Sequence, residues 1–179
     1  LDAVSARRVV LTTGGLSYPT TGSDGTGFGI AQSFGHTILK TFPALTPLLA
    51  DDNDWKSLSG VSLEVRLTFF KNGKKEAEYE GPLLFTHFGF SGPAALDISR
   101  HFAAAAPEEN PQIFSSFVPK ENPASLEARL RSAQNKSPKK QIGNFLAEEF
   151  SLPDRFLEIF LKKAGLGKNE PVGQCSLES

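Results

Sequence analysis

The chain has 179 residues, of which 39% are hydrophobic, with a net charge of −1, which is enough apolar material for a core. That balance, with no basic stripe, argues against a nucleic-acid partner. A single cysteine, Cys175, excludes an intrachain disulfide, and no apolar run is long enough to span a bilayer. With no basic leader followed by an apolar stretch, these features predict a cytoplasmic protein. The absence of methionine and the polar end GLGKNEPVGQCSLES suggest, at this stage, an excised internal piece.

Residues 8–12 (RVVLT) form a short apolar run that stops at Gly14-Gly15 and reads as a buried strand. A helix is expected over about residues 25–34, with Ile30, Ala31 and Phe34 on one face and Gly35 at its end. His36 would then start the next strand in a structural role.

From Pro43 the texture becomes β-rich. Leu63, Val65, Leu67 and Phe69 alternate with Glu64, Arg66 and Thr68, the pattern of a half-buried strand. Asn72-Gly73 is a strong hairpin signal. TPLLA, AEYEGPLLFTH and QIFSSFVP supply further strands, interrupted by a helix over residues 92–106 that Ser91 or Gly92 would cap. Asp51, Asp52 and Asp54 lack the glycine and terminal glutamate of a calcium loop and read as a solvated turn; no metal site is expected.

From Asn122 three helices are predicted, opening at Asn122-Pro123, Ser137-Pro138 and Ser151 to Asp154. Leu126 and Leu130, then Ile142, Phe145 and Leu146, then Phe156, Leu157, Phe160 and Leu161 form their apolar stripes. Lys136, Lys139, Lys140, Lys162 and Lys163 read as solvated. The expected fold class is therefore α+β: a small antiparallel β-barrel with an inserted helix over residues 43–120, then a helical bundle over 121–179. His101, among alanines, is expected at the surface.

The glycines after the first strand carry the functional question. Glycine permits positive φ and close approach of a ligand. In α/β folds such a cluster brings backbone N–H groups to a cofactor, and a loop of tight turns is the plainer alternative. The spacing of Gly22, Gly25, Gly27 and Gly29 fits neither G-x-G-x-x-G nor a P-loop, and a phosphate hydrolase would also need a Lys-Ser/Thr pair.

The stretch TTGGLSYPTTGSDGTGF, then Gly35-His36 and PALTPLL, resembles the HI0933-like (BaiN-like) family of FAD-dependent oxidoreductases. GPLLFTHFGFSGPAALDISR, residues 81–100, resembles a second motif of that family. The resemblance implies that residues 1–42 are a remnant of an α/β FAD-binding domain whose remainder would be this chain's partner. It also implies a substrate placed between that domain and the inserted barrel, a chain inactive alone, and FAD in the intact protein that this chain by itself does not retain. NAD(P)H as reductant is left open, as is the identity of the small-molecule substrate. The cofactor candidates it designates are Thr12, Thr13, Gly14 and Gly15, with Asp24, Gly25, Thr26 and Gly27. Thr26 stands where the family has aspartate, and Asp24 lies two residues earlier.

The second candidate is the loop of Thr86, His87, Gly89, Ser91 and Gly92, facing flavin or substrate. Its helix start offers N–H groups and partial positive charge. His87 is the candidate for proton transfer, against a structural role bonding a loop carbonyl. The competing reading of the whole chain is a non-catalytic barrel-plus-helix binding module without a cofactor.

Overall fold

Leu63, Val65, Leu67 and Phe69 are each at most 7% exposed, because strand β2 (Ser62–Lys71) turns every second residue inward. The computed structural model describes residues 4–175. Asn72 and Gly73 both have positive φ, 51° and 74°. That is the two-residue turn whose twist matches a hairpin, and it delivers strand β3 (Lys74–Thr86) alongside β2. Phe69 pairs with Ala77 but Phe70 with Lys75, so Glu76 bulges from β3.

The sheet is completed by β1 (Leu48–Leu49), β4 (Gly89–Ser91) and β5 (Gln112–Ser116). Its order is β1-β4-β3-β2-β5, antiparallel throughout. The sheet curls into a half-barrel with β1 and β5 as its two free edges. Helix α3 (Pro93–Ala104) crosses the concave face and buries Ala94, Ala95 and Ile98 against it.

Two compact units divide the chain, Leu1–Pro43 and Ala44–Ser179. In the first, α1 (Thr26–Ser33) forms where expected. It ends in a Schellman motif, with Gly35 N–H donating to Gln32 O and His36 N–H to Ala31 O. The strand expected at residues 8–12 does not form, and neither does one after His36. A strand needs a neighbour to accept its ladder hydrogen bonds, and the described residues of this unit offer none. Val9 and Val10 are accordingly 85% and 80% exposed.

In the second unit the short helix α2 (Asn53–Lys56) replaces the expected solvated turn. The Asp52 carboxylate accepts from the N–H groups of Asp54 and Trp55 and caps it. Helices α4 (Pro123–Lys136), α5 (Ile142–Phe150) and α6 (Asp154–Lys163) follow. Asn122 caps α4 through a reciprocal pair with Ser125. The other two expected caps do not act. Ser137 ends α4, and Gln141 precedes α5. Ser151, left-handed at φ 56°, ends α5, and Pro153 precedes α6. Prolines 138 and 153 permit a helix start but do not oblige one.

The barrel and the helices share one core. Phe156 of α6 is fully buried, with ring centroids 4.7 Å from Phe117, 6.0 Å from Phe85 and 6.3 Å from Trp55. Each such side chain contributes about 1.5–3 kcal/mol by leaving water. Lys162 and Lys163 are not merely solvated. They pair with Asp54 at 3.2 Å and Asp52 at 2.6 Å, joining the end of α6 to α2. Lys163 holds the Asp52 carboxyl below its usual range.

Candidate functional site

In the first unit the two glycine stretches lie together. Gly25 N–H donates to Gly15 O at 3.0 Å, and buried Gly27 rests against the Thr13 side chain. Thr13, Gly14 and Gly15 therefore share one surface with Asp24, Gly25, Thr26 and Gly27, with Thr12 exposed just before it. The N–H groups of Thr13, Gly14, Gly15 and Leu16 donate to no acceptor among the described residues. Free peptide donors of this kind must find water or a ligand.

Asp24 accepts from the Thr26 hydroxyl at 2.7 Å and the Thr26 N–H at 3.0 Å, and both bonds hold its carboxyl below the usual range. A carboxylate bonded to the first N–H of α1 makes that helix start a poor anion site. It suits a hydroxyl-bearing group, which donates to carboxylate and accepts from peptide N–H. The donor set is thus compatible with the polyhydroxylated parts of FAD.

In the second unit Thr86 to Gly92 form a tight corner. Thr86 pairs with Gly89, and its hydroxyl donates to Gly89 O at 3.0 Å. His87 and Phe88 make the tip, and the His87 ring stands edge-on to Phe88 at 4.9 Å. His87 is exposed and bonds no carbonyl among the described residues. Ser91 lies in β4 opposite Leu84 and does not cap α3; Gly92 holds that position. Gly92 has φ 88°, and a β-carbon on it would stand 2.7 Å from Pro82 O. Only glycine fits there without strain.

Two features were not anticipated. His101 is half-buried, its ring tilted against those of Phe69 at 5.9 Å and Tyr79 at 5.8 Å. Its Nε2 lies 3.1 Å from the Tyr79 hydroxyl, which accepts from Arg100 at 2.7 Å. Burial, then the Arg100 charge, pushes the His101 pKa down. The second feature is a cavity of about 620 Å³ on the concave side of the half-barrel. Leu67 and Leu83 form its floor, Phe102 and Ala103 of α3 one wall, and Leu48 and Ile113 the rims. Of the corner residues Phe90 lines the cavity, while Thr86, His87, Gly89, Ser91 and Gly92 belong to neither feature. Neither leaves a short motif, since both are assembled from elements distant in sequence.

Residues 42–179 match the HI0933-like protein barrel and H2TH domain. The chain belongs to the HI0933-like family. Among its HI0933-like relatives is a ribosomal RNA dihydrouridine synthase of Haemophilus influenzae, 31% identical over 172 residues. That match covers 95% of this chain and 39% of the relative. An Escherichia coli protein of the same description is 34% identical, covering 87% of this chain and 36% of the relative. A 3-dehydro-bile acid delta(4,6)-reductase of Clostridium scindens is 27% identical, covering 94% and 41%. The chain spans about two fifths of the length of these relatives.

Proposed function

We propose that this chain supplies the barrel, the helices and a glycine-rich arm of an FAD-dependent reductase acting on a carbon–carbon double bond conjugated to a carbonyl. The observation that carries the reading is what two differently named relatives have in common. Forming dihydrouridine adds two hydrogens to the ring double bond beside the uracil carbonyl. Reducing a delta(4,6) system beside a 3-oxo group is the same type of addition. When bound, and once reduced by a two-electron donor such as a nicotinamide cofactor, the flavin would supply the hydride and return to its oxidised form.

The chain's own residues have separate tasks. The unpaired N–H groups of Thr13 to Leu16 and the Asp24 carboxylate hold hydroxyl and carbonyl groups of the cofactor. Gly27, packed under Thr13, keeps that turn in place. Thr86 fixes the corner through Gly89 O, and Gly92 lets α3 start hard against β3. To His87, exposed at the corner tip, we assign delivery of the second hydrogen as a proton. The relatives at 31% and 34% identity favour a uridine of RNA as the substrate, whereas the net charge of −1 and the lack of a basic stripe led to the opposite expectation.

The cofactor part is tested by titrating FAD with the chain and following flavin fluorescence. Weak saturable binding that desalting removes is expected, weakened about tenfold in Asp24→Ala. Flavin fluorescence unchanged at every protein concentration would overturn the cofactor role of the arm.

A further inference from the structure

The concave cavity has a chemistry of its own. At about 620 Å³ it falls within the roughly 300–1,000 Å³ of small-molecule pockets. No charged side chain lines it among the described residues. An ionised guest would therefore be desolvated there without a counter-charge, which is costly. Its polar equipment is three hydroxyls and the Trp55 indole. The Ser99 hydroxyl is already engaged, donating to Leu96 O at 2.7 Å and accepting from Thr46 N–H at 3.2 Å. The hydroxyls of Thr46 and Ser115 have no partner among the described residues.

Access follows from topology. β1 and β5 are the ends of the sheet, each paired on one side only. The cavity is lined from both of these ends, by Leu48 and Leu49 of β1 and by Ile113 and Ser115 of β5, and so meets the seam between the two edges. Phe102, 43% exposed, stands at the α3 side.

We propose that this cavity binds a neutral, largely apolar small molecule the size of a fused-ring compound, with one or two oxygens that pair with Thr46 and Ser115. A nucleotide does not fit this chemistry, because its phosphate would meet no cation. The site is separate from the flavin reading and stands or falls without it.

Trp55 is the only tryptophan and lines the cavity, so its fluorescence reads occupancy. The probe is N-phenyl-1-naphthylamine, which is neutral and apolar. Saturation at one probe per chain with quenching of Trp55 is expected. Ala103→Phe and Ser115→Phe fill the cavity from opposite walls and should each weaken binding at least about tenfold. Both positions are exposed, so the fold should tolerate them; a thermal unfolding midpoint like the parent's confirms it for each. Should one fail to fold, the other carries the test. Phe114→Ser, on the convex face beside Phe70, should leave binding unchanged. The anionic 8-anilinonaphthalene-1-sulfonate should bind at least about tenfold more weakly. Undiminished binding by both filled variants, an unquenched Trp55, or displacement of the probe by uridine monophosphate would overturn the proposal. So would a dimer in light scattering that excludes the probe, because a second copy would then own the seam.

Discussion

The two units of this chain are stabilised in opposite ways. Ala44–Ser179 buries a continuous apolar core from Leu58 to Cys175. Among the described residues of Leu1–Pro43 the buried one is Gly27, while Val9, Val10, Phe34 and Leu39 are each at least 78% exposed. One region keeps its shape by removing side chains from water. The other keeps its shape by turn hydrogen bonds, such as Gly25 to Gly15 and Thr26 to Asp24. Peptide groups that are not used up in a ladder remain free for ligands, so the poorly buried unit is suited to recognition through its backbone, and the cavity of the larger unit to recognition through side chains.

The contrast is sharpest at Phe156. Phe156→Ala removes a fully buried ring from between Phe85, Phe117 and Phe160. It should cost about 3–5 kcal/mol, seen as a lowered denaturant midpoint for barrel and helices together. Separate transitions for the two would break the claim of a shared core.

A smaller effect is expected from pH. His101 is held neutral by burial and by Arg100, so its folded pKa lies below the unfolded value near 6.5. The fold then takes up fewer protons than the unfolded chain. Its contribution is complete above about pH 6.5 and is lost as pH falls through the folded pKa. Thermal unfolding between pH 7.5 and 5 should show this decline, and His101→Phe should flatten it. An equal slope in both proteins would remove His101 from the account.

The smallest effect belongs to the arm. Val9→Ser with Val10→Ser should leave the unfolding free energy of the larger unit unchanged to within about 0.5 kcal/mol. A larger loss would mean that these valines contribute to the core after all.

Local signals served best where structure is decided locally. The alternation in β2 and the Asn-Gly turn specify the hairpin through backbone preference alone, and Asn122 specifies its own cap. The apolar run at residues 8–12 misled, because a strand is a property of a pair. Ser137 and Ser151 misled because a serine shortly before a proline closes one helix as readily as it opens another. The two glycine motifs were visible, but their adjacency depends on contacts between them, the Gly25–Gly15 bond and the packing of Gly27 against Thr13, that no local pattern announces. The cavity was invisible for a related reason. Thr46, Leu67, Ala103 and Ser115 meet only when the sheet curls and α3 crosses it.

The tight Asn72-Gly73 turn also sets the order in which the chain gains structure. β2 and β3 meet by closing a two-residue loop, an event of microseconds at small entropic cost. β5 joins the same strand only across roughly forty residues, between Phe70 and Gln112. The hairpin is thus the template on which the later strand condenses, and until then the β2 edge waits uncovered during synthesis.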